Sequence, residues 1–344
     1  MVSVVVTGAR GMLGASVVER LAGDGYDVVG VDLRPGDDRP GYRHVTGDIR
    51  DASVLGEAMA GAGAVVHCAA ALPSYPVEQI QSITVDGART VLAAAAAAKV
   101  PRVVHISSTA VYGLPDRVPT REDYGYAPVD PYSRAKVEAE QLAVAHRDTG
   151  AVVPVLRPKT FLGPGRMGLF SMLFQWAHEG RNFPVLGDGS VRIQMLHVAD
   201  LVEAITLVLT APASVANDTY NIAAVEFGSL RQDFQAVLDA AGHGKRVVAL
   251  PARPARAALG LLERARLSPV YGRLLHKLMA DSYVDTRKAT ERLGFVPRRS
   301  NQDAILQAFE SWRGRAEQAT TTNGGRTSQD PWRQGVLAAA KVFF

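Results

Sequence analysis

Tyr132 and Lys136 stand four residues apart in Tyr132-Ser133-Arg134-Ala135-Lys136. On a helix, residues at that spacing share a face, so both side chains would point at one site. A free phenol has a pKa of about 10 and is a poor base at neutral pH. A neighbouring ammonium favours the phenolate and lowers that value. A tyrosine so placed can take a proton from a substrate hydroxyl while hydride leaves the same carbon. Ser108, upstream in Ser107-Ser108, is the residue expected to hydrogen-bond the substrate oxygen.

A hydride needs an acceptor, and the start of the chain has the residues to hold one. Thr7-Gly8-Ala9-Arg10-Gly11-Met12-Leu13-Gly14 follows a β-branched run and precedes a helical pattern. At such a turn, backbone N–H groups and the helix dipole bind pyrophosphate. The spacing is G-x-x-G-x-x-G. A lone glycine triplet is a weak signal; Asp32, an acid at the end of the next strand, strengthens it. Its carboxylate would accept both ribose hydroxyls of NAD and repel a 2′-phosphate. Arg34 could accept that phosphate, yet with Asp32 in place NAD is expected over NADP. A bound cationic nicotinamide would favour the Tyr132 phenolate further.

Regular elements must position these residues. Residues 2–7 read as a strand buried on both faces. Strands are expected at 28–32, ending at 48 after 44, at 64–68, 102–107 and 152–156. Helices are expected at 12–23, 51–60, 80–99 and 131–149. Alternating strands and helices imply parallel pairing with right-handed crossovers. The fold class is therefore α/β, a doubly wound parallel Rossmann sheet, with a smaller C-terminal α/β substrate-binding lobe. After about residue 160 the alternation breaks. Helices are expected at 168–180, 198–210, 229–242, 253–280 and 303–313, with a strand at 219–222. The expected division is a cofactor domain over 1–160, with later strands added from the C-terminal half. A substrate lobe would cover 161–313, and a linker with an amphipathic tail 314–344.

Composition bounds the function. The chain has 344 residues, 47% of them hydrophobic, and a net charge of +4. That is enough apolar material for a sizeable core and too little basic charge to argue for nucleic acid. A single cysteine, Cys68, excludes a disulfide framework or a cysteine metal site. His67 beside it is expected to be structural. No signal peptide or membrane-spanning run is expected, and the reading is a cytoplasmic enzyme without metal.

These clusters, in this order, resemble the extended short-chain dehydrogenase/reductase superfamily and, within it, the NAD-dependent epimerase/dehydratase family of nucleotide-sugar enzymes. The resemblance covers residues 1 to about 313. It includes the segment from Ile106 to Gly113, Leu156-Arg157-Pro158, Gly163-Pro164-Gly165, Gly187-Asp188-Gly189 through Leu201, and Tyr220-Asn221-Ile222. It implies Ser108, Tyr132 and Lys136 as catalytic. It implies a cofactor site of Gly8, Arg10, Gly11, Met12, Leu13, Gly14, Asp32 and Arg34, with Asp48 and Ile49 at the adenine, Ala69 and Ala70 under the ribose and pyrophosphate, and Tyr132 and Lys136 again. Ser108, Thr109, Lys159, Arg166 and Arg192 are the implied substrate contacts. A homodimer through the helices at 80–99 and 131–149 is also implied.

Departures from the family pattern narrow the chemistry. The 4,6-dehydratases place Asp and Glu directly after the catalytic Ser or Thr, and uronic-acid decarboxylases place a Glu there. This chain has Thr109 and Ala110, which cannot shuttle protons that way. Thr84 stands where the family usually has Asn, and Lys159-Thr160 where epimerases usually have an Asn near the diphosphate. The expected activity is epimerisation of a nucleotide-activated sugar through a transient keto intermediate. The alternative is an NAD(P)-dependent dehydrogenase or reductase of a hydrophobic alcohol or ketone, similar to 3β-hydroxysteroid dehydrogenases. The basic, Leu-rich stretch at 250–280 and the cationic, aromatic tail at 331–344 favour that alternative, and weak membrane contact through the tail goes with it.

Overall fold

The computed structural model describes residues 2–164, 170–251 and 279–318. Arg166, most of the expected helix at 253–280 and the tail at 331–344 lie outside the described residues. The chain divides into two compact units. Unit 1 comprises Met1–Lys159, Val198–Ala223 and Asp285–Pro297; unit 2 comprises Thr160–His197, Ala224–Val284 and Arg298–Phe344. The first segment of unit 1 ends at Lys159. The first unit also takes back two later segments, because a strand and a helix there complete its sheet and its outer layer.

Unit 1 is built from β1 (Ser3–Thr7), α1 (Met12–Gly23), β2 (Asp27–Asp32), β3 (Tyr42–Thr46), α2 (Ala52–Met59), β4 (Ala64–His67), α3 (Val77–Gln81), α4 (Gly87–Ala97), β5 (Val103–Ile106), α5 (Pro131–Ala145) and β6 (Val155–Pro158). Unit 2 begins with β7 (Phe161–Leu162), α6 (Phe170–His178), β8 (Phe183–Leu186) and β9 (Leu196–His197). The chain then returns to unit 1 for α7 (Val198–Thr210), α8 (Ala213–Ala216) and β10 (Thr219–Ile222). Unit 2 continues with α9 (Leu230–Ala241) and β11 (Val247–Leu250); α10 (Arg287–Leu293) belongs to unit 1 and α11 (Asn301–Gln318) to unit 2.

Seven strands form one parallel sheet in the order β10-β6-β5-β4-β1-β2-β3. The order reverses between β1 and β4. Ligands of doubly wound sheets bind in the crevice outside the strand ends at such a switch point. Both strands are apolar in the middle: Val4, Val5, Val6, Val65 and Val66 are buried, as a sheet covered on both faces requires. Helices α2, α4 and α5 enclose one side with Leu55, Met59, Val91, Leu92 and Ala143. Helix α1 packs against α7.

Several elements differ from the sequence expectation, and the third strand lies two residues earlier than expected, over Tyr42–Thr46. The sixth strand runs over Val155–Pro158 rather than 152–156. Arg157 is expected just past the strand; the structure places it inside, where its charge is buried and paired. The expected helix at 80–99 is interrupted by a π-helical turn, Ser82–Asp86. The buried Thr84 hydroxyl accepts from the Ala71 N–H at 3.3 Å within that turn. Helix α10 escaped the sequence reading because only Ala289 and Leu293 face inward from a polar run.

Unit 2 pairs β8 with β11 and β7 with β9, both parallel. Its core is aromatic: Phe174, Trp176, Phe234, Phe309 and Trp312 interlock across α6, α9 and α11. Asn301, at the start of α11, donates to the Ile193 carbonyl and to Asp233, both at 2.8 Å, and accepts from Met195 N–H. Burial pushes the Asp233 carboxyl up to about 6.

Candidate active site

The glycine turn has the geometry that a pyrophosphate needs. Gly8 has φ +67°, and a Cβ there would come within 3.0 Å of the Ala69 backbone. The ends of β1 and β4 therefore approach closely at the sheet's switch point. Gly14 is tighter still: a Cβ would lie 2.0 Å from the Gly8 carbonyl oxygen. That contact folds α1 back on the turn. Gly11 is the N-cap, no side chain caps this helix, and its first turn holds no acid. The first N–H groups of a helix have no intrahelical partner, so this end suits an anion. Asp32 closes the turn from β2. Its carboxylate accepts from Arg10 N–H at 2.9 Å and from Arg34 N–H at 3.0 Å. The Arg34 guanidinium lies 3.5 Å from the same carboxylate and donates to the Arg10 carbonyl.

These positions fit NAD: a carboxylate at this point would disfavour a 2′-phosphate, and removing it would leave the Arg34 guanidinium without the carboxylate 3.5 Å away. Asp32→Ala is expected to shift binding toward NADP, lowering the NAD to NADP affinity ratio by at least tenfold. Titration calorimetry with both cofactors measures it; a ratio unchanged from wild type would remove Asp32 from the cofactor site.

The remaining cofactor candidates are placed as follows. Asp48 pairs with Arg50, which donates from Nε at 2.9 Å and holds the carboxyl below its ordinary range. Ile49 is buried against Gly87, where a Cβ would come within 2.5 Å of its Cδ1. Ala69 and Ala70 follow β4, and Ala69 N–H donates to the Thr7 hydroxyl at 3.3 Å.

The catalytic candidates sit on β5 and α5. Asp130 caps α5: its side chain accepts from Ser133 N–H at 2.6 Å, the Ser133 hydroxyl accepts from Asp130 N–H at 2.9 Å, and Pro131 follows the cap. This capping box places Tyr132 in the first turn, where the helix dipole favours a negative charge. Its ring packs beside Ala71, Ile80 and Ala135. One turn on, Lys136 is buried and its ammonium donates to the Ile106 carbonyl at 3.0 Å. Burial pushes this amine down to about 8, against the opposing pull of Glu140. Ser108 follows β5, half-buried, and its hydroxyl accepts from Ala110 N–H at 3.1 Å. The Thr109 hydroxyl is turned to the Pro158 carbonyl at 3.4 Å.

His67 is buried at the end of β4. Its Nδ1 lies 2.7 Å from the Thr7 hydroxyl, and burial pushes the ring down to about 3, so it is neutral. Burial pushes the Cys68 thiol up to about 12. Among the described residues no group of His, Cys, Asp and Glu could hold a metal ion. No described helix is long and apolar enough to cross a membrane.

The substrate candidates are not equivalent. Lys159 follows β6 and is only 8% exposed, and its backbone N–H donates to the Ile222 carbonyl. Arg192 is exposed in unit 2. Its guanidinium lies 4.6 Å from the centre of the Phe227 ring and 5.4 Å from that of Tyr283. Two aromatic faces thus hold the guanidinium at the surface, and the Arg192 backbone N–H donates to the Asp281 carboxylate at 2.8 Å.

Sequence reasoning missed the polar cluster beneath the catalytic elements. Glu140, on α5, is fully buried. It accepts from the Ser107 hydroxyl, from Arg157 Nε at 3.0 Å and from Tyr126 at 2.9 Å. Arg157 also donates to Tyr112 at 2.7 Å, and Tyr112 donates to Asn221 at 2.7 Å. One signal was available: Glu140 stands four residues after Lys136, as Lys136 stands four after Tyr132.

Comparison with known proteins agrees with this geometry. The model of the NAD dependent epimerase/dehydratase family matches residues 4–223. Uncharacterized protein y4nG of Sinorhizobium fredii is 31% identical over 97% of this chain and 84% of its own length. A UDP-glucose 4-epimerase of Mycolicibacterium smegmatis is 27% identical over 91% of this chain and 99% of its own. A 3beta-hydroxysteroid-dehydrogenase/decarboxylase of Arabidopsis thaliana is 27% identical over 90% of this chain, which spans 61% of it. The solved structure of MoeE5 in complex with UDP-glucuronic acid and NAD is 28% identical, with a TM-score of 0.74 over 91% of this chain and 99% of that one. With the glycine turn, Asp32 and the Ser108, Tyr132 and Lys136 set in place, the chain belongs to the NAD-dependent epimerase/dehydratase family, enzymes of the extended short-chain dehydrogenase/reductase type.

Proposed function

We propose that this enzyme epimerises a nucleotide-activated sugar by transient oxidation. The observation that carries the reading is the catalytic strand end, Ser108-Thr109-Ala110, beside an intact Tyr132 and Lys136. It equips the site to move a proton and a hydride at one carbon and gives it no acid for eliminating water. NAD supplies the hydride acceptor. Tyr132 takes the hydroxyl proton, Ser108 hydrogen-bonds the same oxygen, and Lys136 holds positive charge beside the phenolate. The proton returns from Tyr132 when the keto sugar is reduced on its other face. Arg192, exposed over its two aromatic rings, is the candidate for the substrate diphosphate. The likeness to a UDP-glucose epimerase and to a protein complexed with UDP-glucuronic acid supports a UDP-sugar. A homodimer through α4 and α5 belongs to the same reading.

The test is turnover of UDP-hexoses and UDP-uronic acids by the purified protein, followed by NMR of the sugar and absorbance of NADH. The expected result is a new epimer with no net NADH. Net NADH from a hydroxysteroid, with no epimer from any sugar, would replace this reading with the dehydrogenase alternative.

A further inference from the structure

Ser107 and Glu140 have no part in the proton transfer, yet they join the two elements that perform it. Ser107 is 3% exposed and immediately precedes Ser108. Its hydroxyl donates to Glu140, one turn beyond Lys136 on the helix that also carries Tyr132. Glu140 is 0% exposed, and a buried carboxylate must be paired and hydrogen-bonded. Arg157 from β6 supplies the pair, Tyr126 adds a third donor, and Tyr112 and Asn221 hold Arg157 from behind. We propose that Glu140 is a positioning residue of the active site: it clamps the Ser107-Ser108 strand end to α5 and serves as the buried counter-charge of Lys136.

The second half follows from the surroundings of Lys136. Its charge meets neutral His67 and His105 from β4 and β5, the Cys68 thiol, and Glu140 on its own helix. Burial opposes an ammonium here, and Glu140, one turn along the same helix, supports it. The Ile106 carbonyl fixes where the ammonium sits, and Glu140 helps to keep it charged. This inference rests on Ser108, Tyr132 and Lys136 being the catalytic set, but its test needs no substrate.

The experiment is NMR titration of the Lys136 ammonium in the full chain labelled with 15N-lysine, the signal being assigned by its loss in Lys136→Met. Glu140→Gln alone leaves Arg157 buried and unpaired, so the variant used is Glu140→Gln with Arg157→Met, which removes both charges. The Lys136 midpoint is expected to fall by about half a unit or more, while NAD affinity stays within about twofold. A midpoint unchanged from wild type overturns the counter-charge. Ser107→Ala tests the clamp and keeps the ion pair. Amide hydrogen exchange across residues 103–112 is expected to quicken by about tenfold, the measure of one lost hydrogen bond to a charged group. Exchange at the wild-type rate overturns the clamp, whatever the fate of the double variant. Failure of the epimerase reading would leave both measurements as they are.

Discussion

Tyr132→Phe is expected to lower turnover by at least about 100-fold while leaving NAD affinity nearly unchanged. The hydroxyl is the only group lost. The ring keeps its packing beside Ala71, Ile80 and Ala135, and the Asp130 and Ser133 capping box that starts α5 is untouched. Fold and cofactor site should therefore survive. What disappears is the proton transfer, and positioned acid–base groups typically contribute 10²–10⁴-fold. The helix start adds to the effect, since charge developing on Tyr132 lies at the positive end of α5. Steady-state kinetics on the accepted substrate and calorimetry with NAD give the two numbers. A variant keeping more than about a tenth of the wild-type rate would show that another group moves the proton.

Gly14→Ala is expected to cost at least about tenfold in NAD affinity and to lower the melting temperature. The added Cβ would sit 2.0 Å from the Gly8 carbonyl oxygen and 2.7 Å from its carbon. Both obstacles are backbone, so no rotamer change relieves the clash. Either α1 moves off the turn or the turn opens, and the N–H groups that would meet the pyrophosphate move with it. Overpacking of this kind typically costs 1–3 kcal/mol, roughly 5- to 150-fold if it falls on binding. Gly56→Ala is the contrast. It is exposed within α2, has no atom within 4 Å of a new Cβ, and should gain about 0.5–1 kcal/mol from helix propensity alone. Melting curves and NAD titrations of both variants test the pair. Wild-type NAD affinity in Gly14→Ala would mean that this glycine is not shaping the cofactor turn.

The substrate residues divide on a physical ground that the sequence does not carry. Lys159 and Arg192 are both cations near glycine-containing loops, and spacing treats them alike. Burial separates them: Lys159 is enclosed beside β10, whereas Arg192 lies open over Phe227 and Tyr283. Those rings come from segments far along the chain, so no local pattern announces them.

The sequence by itself determined the parallel sheet, the bounds of α1 and α7, the glycine turn with Asp32 at the end of the next strand, and the placement of Tyr132 and Lys136 one turn apart on α5. Those features depend on local constraints: strand and helix periods, backbone freedom at glycine, and side chains one helical turn apart. Tertiary structure alone decided the rest. It returned the helices α7 and α10 to the first unit, because which helix covers a sheet face is settled by packing through space. It moved the sixth strand to include Arg157, because a buried cation is tolerated only where Glu140 and Tyr112 meet it. It placed the π-helical turn at Thr84, whose hydroxyl takes up the Ala71 N–H. The buried cluster behind the catalytic helix joins Ser107 and Tyr112, Glu140, Arg157, and Asn221 from four separate stretches of chain. Charge pairing in a dry interior acts through space rather than along the chain, so only the folded molecule could disclose it.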